Sequence, residues 1–474
     1  MAGNVRYIIL MNSMNSTHKT ANRKPQTVFP ISLGCPKNLV DTEIMLGRLR
    51  QEGWEVVAAP EAASLLLVNT CAFIASAAQE AVDTILEMAR YKEGNSGKSL
   101  VVTGCLVQRY GRDLVTQLPE VDFFIGVNDF PRLPEILQTP GRQPEPCLLA
   151  EAPPFDYARP QPRYPATLRA SAYLKIAEGC SHRCTYCTIP AIRGPLRSRP
   201  LETLLAEAQA LAASGVKELN LVAQDTTAYG QERQGAPGLP ELLRELCGLP
   251  GLEWIRVLYG HPARVTPELL ETMAAYPQIC PYLDLPIQHG HDEMLRRMGR
   301  GYSRRDILYC CRLIRELIPH AALRTTVMVG FPGETEEHFA ALCDLIQEVR
   351  FEHLGVFLYS PEEGTPAASF TPQVPRRVAR QRARLLKAVQ ARIVKARLKS
   401  LKGFVLPVLV EGVSAESEYL LSGRLITQAP DIDGQVYITA GEARIGEIQP
   451  VLIKRVLPYD LVGEVCGEGT LNSR

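Results

Sequence analysis

From residue 27 onward, short apolar runs alternate with segments whose apolar positions recur every three to four residues. The runs at 28–34 (VFPISLG), 64–70 (SLLLVNT) and 99–104 (SLVVTG) have the length and composition of buried strands. Between them, residues 39–51 and 75–91 carry a helical period. Strands and helices in alternation predict a parallel α/β sheet over residues 27–139. Residues 140–165 hold eight prolines and hardly any apolar period, which predicts an interdomain linker. Six further strand candidates follow: AYLKIAE, KELNLVAQ, WIRVLYG, YLDLPIQ, LRTTVMVG and HLGVFLYS. Each but the last is followed by a helical pattern, so residues 166–400 are expected to form a partial or open (β/α)6 barrel, TIM-like but short of eight repeats. From 403 to 466, FVLPVLVEG, GQVYITAG and LVGEVC have no helical pattern between them, so residues 401–470 are expected to form a small β-barrel. Residues 1–26 are polar and aperiodic and read as a disordered tail.

Composition sharpens this picture in three places. The 474 residues suit about three domains at roughly 150 residues each. With 46% hydrophobic residues but no run of eighteen, neither a membrane span nor a secretory signal is expected. Thirteen cysteines without a short repeating framework argue for reduced thiols, and hence for a cytoplasmic protein whose thiols bind metal or lie buried. The net charge of +1 conceals residues 376–402, which hold eleven Lys or Arg and no acid. There Val378, Leu385, Leu386, Val389 and Ile393 recur at helical spacing, predicting a basic amphipathic helix. It reads either as a solvated helix packed on the barrel or as an RNA contact.

The densest chemistry is Cys180-Ser-His-Arg-Cys184-Thr-Tyr-Cys187, directly after the first barrel strand. Three thiols within eight residues can wrap one face of a 4Fe-4S cluster, which ordinarily takes four thiolates, so one iron stays open. Zinc completed by His182 is the alternative, but structural zinc sites pair two such ligand sets and no second CxxC lies nearby. This spacing in this position resembles the radical S-adenosylmethionine (SAM) signature. The resemblance implies that the open iron chelates SAM and that reductive cleavage yields a 5′-deoxyadenosyl radical, with a low-potential electron donor of flavodoxin or ferredoxin type. SAM would lie at the carboxyl ends of the strands. The candidates there are Gln224, Asp225, Gln288, His289, the Gly330-Phe-Pro-Gly333-Glu334 turn and Tyr359, each of which could instead serve barrel-mouth packing. Tyr186, inside the loop, resembles the aromatic residue that backs the adenine in this family.

Cys35, Cys71 and Cys105 are too widely spaced for a local motif, and singly each reads as a buried core cysteine. Yet each follows an apolar strand (ISLGC, LLLVNTC, LVVTGC), and the ends of parallel strands share one edge. Gly34, Gly104 and the Asn69-Thr70 pair suit a backbone that bends there. Geometry alone leaves both readings open. LGCPKNLVDTE, VNTCAFI and VTGC resemble the amino-terminal domain of the radical SAM methylthiotransferases. The likeness continues through LKIAEGCSHRCTYCTIP, VAQDTTAYG, DLPIQHG, VMVGFPGET and FLYSPEEGTPA to a TRAM-like barrel. It implies a second 4Fe-4S cluster on Cys35, Cys71 and Cys105 and two SAM molecules, one methylating sulfur and one generating the radical. Cys147, Cys247, Cys280, Cys310, Cys311, Cys343 and Cys466 read as packing residues.

The family divides between enzymes acting on an N6-modified adenosine beside the tRNA anticodon and one acting on the β-carbon of an aspartate in the small-subunit ribosomal protein S-twelve. An RNA-binding barrel should be basic. Residues 403–474 hold five Lys or Arg against ten acids, which suits a basic ribosomal protein better. Ser422-Gly-Arg-Leu-Ile-Thr-Gln-Ala-Pro-Asp-Ile-Asp-Gly434 also resembles the protein-modifying branch, although residues 425–428 depart from it. The protein substrate is therefore expected, engaged by a monomer. The tRNA substrate is the alternative, and a non-enzymatic, metal-stabilised RNA- or ribosome-binding module is the second.

Overall fold

A computed structural model describes residues 5–8, 26–94, 97–138, 146–149, 160–165 and 170–467, in two compact units. One unit comprises Gly3–Thr167 with Thr188–Pro195. Its sheet holds β1 (Val5–Ile8), β2 (Thr27–Gly34), β3 (Glu55–Val56), β4 (Leu65–Thr70), β5 (Ser99–Gly104), β6 (Phe123–Ile125) and β7 (Cys147–Leu148). The order is β1-β2-β4-β5-β6-β7, with β3 beside β2 and all pairs parallel except β1–β2. Every residue of β4 is buried, as continuous apolar strands covered on both faces require. The helices are α1 (Pro36–Gln51), α2 (Ala75–Arg90), α3 (Cys105–Tyr110), α4 (Asp113–Gln117), α5 (Leu133–Gln138) and α6 (Ile189–Arg193).

Three features of this unit depart from the sequence pattern. Within the expected tail, Val5–Ile8 forms an antiparallel edge strand, whose pairing with β2 a local period cannot reveal; the rest of 1–25 lies outside the described residues. In the expected linker, Cys147–Leu148 extends the sheet, and residues 160–165 lie on α1. There Arg163 pairs with Glu43, Arg48 donates to Gln161 Oε1 at 2.7 Å, and Pro162 O would stand 2.4 Å from a Cβ on Gly47. The remainder of the linker lies outside the described residues. Finally, Thr188–Pro195, expected in the barrel domain, belongs to this unit.

The other unit contains Leu168–Cys187 and Leu196–Arg474. Six parallel strands follow in chain order: β8 (Ser171–Lys175), β11 (Glu218–Val222), β12 (Trp254–Val257), β13 (Ile279–Asp284), β14 (Ala322–Val329) and β15 (His353–Leu358). The short pair β9 (Ala177–Glu178) and β10 (Arg197–Ser198) lies between β8 and α7. This is the open (β/α)6 barrel the repeats predict. The crossover helices are α7 (Leu201–Ala213), α8 (Leu239–Cys247), α9 (Pro267–Ala275), α10 (Asp292–Arg297), α11 (Arg304–Leu317) and α12 (Glu336–Val349). Two of them begin at reciprocal caps: Ser303 with Asp306 for α11, and Thr335 with His338 for α12.

Helix α13 (Arg376–Lys399) then runs to a closed barrel of β16 (Val405–Ser414), β17 (Ser417–Leu425), β18 (Val436–Ala440), β20 (Leu461–Val465) and β19 (Ile448–Val456), in that order. The buried stripe of α13 is Ala379, Ala383, Leu386, Val394 and Leu398. Leu386 packs in the core of the six-stranded barrel and Val394 and Leu398 in that of the small one, whereas Leu385, expected on the stripe, is half exposed.

Charged side chains fill the amino-terminal half of the six-stranded barrel and receive the loop after β17. Arg424 donates to Glu218 and, at 2.7 Å, to Glu411; Arg256 Nε lies 3.0 Å from Glu218 Oε1 and its Nη1 2.8 Å from the carbonyl of Ile426. Tyr282 donates to Asp433 at 2.7 Å, His353 lies 3.2 Å from the same carboxylate, and Tyr173 donates to Asp431 at 2.9 Å. Burial alone would raise the carboxyl pKa of Glu218; Arg424 and Arg256 outweigh it and hold it at about 2. A folded pKa below the ordinary 4.5 contributes stability that is present above that pH and is lost as pH falls through about 2. Glu218→Gln is therefore expected to cost about 3–5 kcal/mol in urea unfolding at neutral pH. The gap from the wild type should narrow as the unfolding buffer is taken from about pH 4.5 towards pH 2.

Candidate functional site

The Cys180–Cys187 loop leaves β9 and is held from both sides. Thr185 N donates to Met298 O at 3.1 Å, Thr185 Oγ1 to Arg297 O at 2.8 Å, and Ala367 N to Thr185 O at 2.9 Å. A Cβ on Gly299 would stand 2.7 Å from Arg183 O, so the α10 end presses against the loop backbone. Cys184 and Cys187 border an apolar patch of Tyr186, Met294, Met298, Phe331 and Ala367. Burial raises the Cys180 thiol, with Asp225 and Cys184 adding to the effect and Arg300 opposing it. Arg300 Nη1 lies 3.2 Å from Cys184 Sγ. This cation flanks the thiols but sits in a polar stretch with no sequence signal, so sequence reasoning missed it.

His182, the zinc alternative's fourth ligand, is engaged elsewhere: its Nε2 lies 2.6 Å from Asp225 Oδ2 and its ring stacks on His261 at 4.2 Å. Among the described residues no three His, Cys, Asp or Glu side chains gather as a single-ion site. Three cysteines on one loop suit a cubane better, because each thiolate there binds its own iron and the ligands stand wider apart. His261 is buried with both ring nitrogens unpartnered, and burial, Arg300 and His182 push its pKa down to about 3.

The strand-end residues divide. Gln224 donates to Glu178 Oε1 at 2.7 Å, leaving its own Oε1 unpartnered. Asp225 is buried and committed to His182, to Thr227 at 2.6 Å and to Arg264 at 3.2 Å, which fixes the loop. Gln288 is half-buried at φ 68°, bridged by backbone to Thr326 and Met328. His289 is buried against Glu334, whose carboxylate also takes Gly330 N and Arg382. Tyr186 is buried edge-on to Phe331, and Tyr359, also edge-on to Phe331, keeps an unpartnered hydroxyl. Gly330 and Gly333 have positive φ of 80° and 81°; a Cβ on the first would meet Ala379 at 2.4 Å and on the second Arg297 at 3.1 Å. Both glycines thus answer to packing.

In the other unit Cys35 follows β2 and caps α1, Cys71 follows β4, and Cys105 opens α3 after β5. The three strands are adjacent and parallel, so the thiols converge as the alternation implies. A Cβ on Gly34 (φ 92°) would stand 2.5 Å from Cys71 Cβ, and one on Gly104 (φ 99°) 2.3 Å from Asn69 Oδ1. Beneath them Asn38 Nδ2 donates to Thr70 O at 2.8 Å and Asn69 Nδ2 to Asn38 O at 2.8 Å. Burial, then Cys105 and Cys35, push the Cys71 thiol up to about 12. Three crowded thiols, with Cys71 resisting ionisation on its own, fit a bound cationic metal group, which would offset their charges. Of the other seven cysteines, six lie in or against apolar cores or are fully buried.

An open parallel barrel with a CxxxCxxC loop after its first strand defines the radical SAM class of enzyme. The radical SAM superfamily matches residues 174–346, a family described as uncharacterized protein family UPF0004 matches 27–126, and the TRAM domain matches 403–466. The ribosomal protein uS12 methylthiotransferase RimO of Geobacter sulfurreducens is 49% identical over 93% of this chain and 98% of its own length. That of Myxococcus xanthus is 45% identical over 93% and 92%. The chain belongs to the radical SAM methylthiotransferase family. Among solved structures, the radical SAM methyltransferase TsrM of Kitasatospora setae, with tryptophan substrate and a SAM analogue bound, shares the fold. It has a TM-score of 0.55 and 17% identity over 73% of this chain and 75% of its own.

Gly330→Ala combines a left-handed backbone with a clash against α13 and is expected to lower stability by about 2–4 kcal/mol in thermal unfolding. Introduced beside Ala379→Gly, it should cost only the backbone part, about 1–2 kcal/mol relative to that single variant.

Proposed function

We propose that this chain inserts a methylthio group at the β-carbon of an aspartate in ribosomal protein uS12. It would use 4Fe-4S clusters on Cys180, Cys184, Cys187 and on Cys35, Cys71, Cys105, with two SAM molecules. The observation that carries this reading is the pair of three-cysteine sets, each at the carboxyl edge of a parallel sheet, in a chain matched over 93% of its length by a uS12 methylthiotransferase. The cluster with an open iron would supply the electron that cleaves SAM. The protein's own part is to hold the loop rigid through Asp225, His182 and Thr185, to place Arg300 beside Cys184, and to cover the loop with Tyr186, Phe331 and Tyr359 so that water is kept out.

Charge supports a protein substrate. Glu411 and Asp433 are spent on the inward ion pairs with Arg424, Arg324 and His353, and Arg424 goes with them. Among the described residues the small barrel then offers Arg444, Lys454 and Arg455 against seven acids, a surface that repels phosphate and attracts a basic protein. The exposed arginines of α13, among them Arg377, Arg380 and Arg384, give the second contact, with ribosomal RNA beside the protein target. The same face favours the tRNA reading as the alternative.

Mass spectrometry of uS12 and of bulk tRNA from a deletion strain decides between them: loss of the mass increment from uS12 is expected, and loss from tRNA alone would overturn the substrate. Cys180→Ala, Cys184→Ala or Cys187→Ala should abolish reductive SAM cleavage. Cys35→Ala, Cys71→Ala or Cys105→Ala should leave SAM cleavage and stop methylthio insertion, with iron content falling from about eight to about four per chain. Reversing Arg377, Arg380 and Arg384 to Glu should weaken ribosome binding and flatten its dependence on salt, by roughly one unit of logarithmic slope per lost phosphate contact, in sedimentation assays.

A further inference from the structure

Arg193 is nearly fully buried in the amino-terminal unit, although it belongs to α6, only six residues after Cys187 in the chain. A guanidinium taken out of water needs counter-charge and acceptors. Its Nη1 lies 2.9 Å from Asp41 Oδ2, on α1. Its Nη2 donates to Asn38 Oδ1 and, at 3.3 Å, to the sulfur of Cys105. Asn38 is the residue whose amide ties the end of β2, through Leu33 O at 3.1 Å, to the end of β4, through Thr70 O at 2.8 Å. Arg193 therefore grips both a proposed ligand and the side chain that fixes the ligands' strands. An Asp–Arg pair meant only to anchor α6 would not need to place a guanidinium N–H on a cysteine sulfur.

We propose that Arg193 is a positioning residue of the second cysteine set: it donates a charged hydrogen bond to Cys105 Sγ, orienting that ligand and raising the reduction potential of the iron-sulfur group the three cysteines hold. The inference rests on Cys35, Cys71 and Cys105 holding such a group. Hydrogen bonds to ligand sulfur and net charge nearby are two of the means by which a protein sets a cluster's potential. A positive charge favours the reduced, more negative form, and burial keeps solvent from screening it. Asp41 counters part of that charge, so the two residues should act in opposite directions.

The test uses the full chain with Cys180, Cys184 and Cys187 all replaced by Ala, so that only the second cluster assembles. After anaerobic reconstitution it should bind about four irons. In that background Arg193→Gln should lower the reduced-to-oxidised ratio at a fixed potential about tenfold, equivalent to about 59 mV for one electron, read by electron paramagnetic resonance. Arg193→Lys should recover most of the ratio with an altered spectrum, and Asp41→Asn should raise it. An unchanged ratio and spectrum in an Arg193→Gln chain that holds its iron overturns the proposal. If Arg193→Gln does not fold, Asp41→Asn decides, since a ratio that stays or falls there overturns it equally. A parent chain that binds no iron overturns both the proposal and the reading beneath it.

Discussion

Parallel strands all end on the same side of their sheet, and that constraint places almost everything chemical in this protein. It brings Cys35, Cys71 and Cys105, spaced 36 and 34 residues apart, to the ends of three neighbouring strands. The same constraint puts the Cys180–Cys187 loop, Gln224, Asp225, Gln288 and the Gly330–Glu334 turn on one rim of the six-stranded barrel. Neither assembly needs a long-range disulfide or a dedicated scaffold. Each needs strands that stay in register: β4 and β11 are buried along their whole length, and a one-residue slip of β11 would turn Glu218 away from Arg256 and Arg424.

The opposite ends of the barrel strands carry a different solution. A closed eight-stranded barrel fills its interior with layers of its own side chains, whereas an open six-stranded one leaves a side that its strands do not close. Here the space is taken by charge: Glu218, Arg256, Asp284 and Arg324 point inward, and Arg424 and Asp433 arrive from the small barrel to pair with them. Such pairs contribute little net stability compared with apolar packing, but mispairing them is costly, so they specify how the two barrels dock. The docking also withdraws two acids and an arginine from the small barrel's surface, without reversing its negative sign.

The fold was legible wherever a period was local. The three long strands of the amino-terminal sheet, the six barrel strands and the basic helix all stand close to where apolar spacing puts them. What the pattern missed is short or depends on a distant partner: Val5–Ile8, Cys147–Leu148 and the segment 160–165 are each held by α1 or by a neighbouring strand. The site shows the same divide. The cysteines announce themselves by spacing or by their place after strands. Arg300 stands in a polar stretch and Arg193 in a short Pro- and Ile-bearing one, neither with a pattern that singles it out, and only the fold shows each to be buried with its guanidinium on a cysteine sulfur.

Those two arginines also bear on how one chain could run two different iron-sulfur sites. Each reaches one sulfur of its set, at 3.2 Å for Arg300 and 3.3 Å for Arg193, but their remaining partners differ in kind. Arg300 turns its other nitrogens to the Tyr302 hydroxyl and the Pro286 carbonyl, neutral acceptors that leave its positive charge whole beside Cys184. Arg193 shares its charge with Asp41, so Cys105 feels a smaller net field. A cation beside Cys184 favours the reduced state of a group held there, while the carboxylate of Asp225, whose charge reaches Cys180, opposes it, so the charges on that rim balance taking up an electron against passing it on.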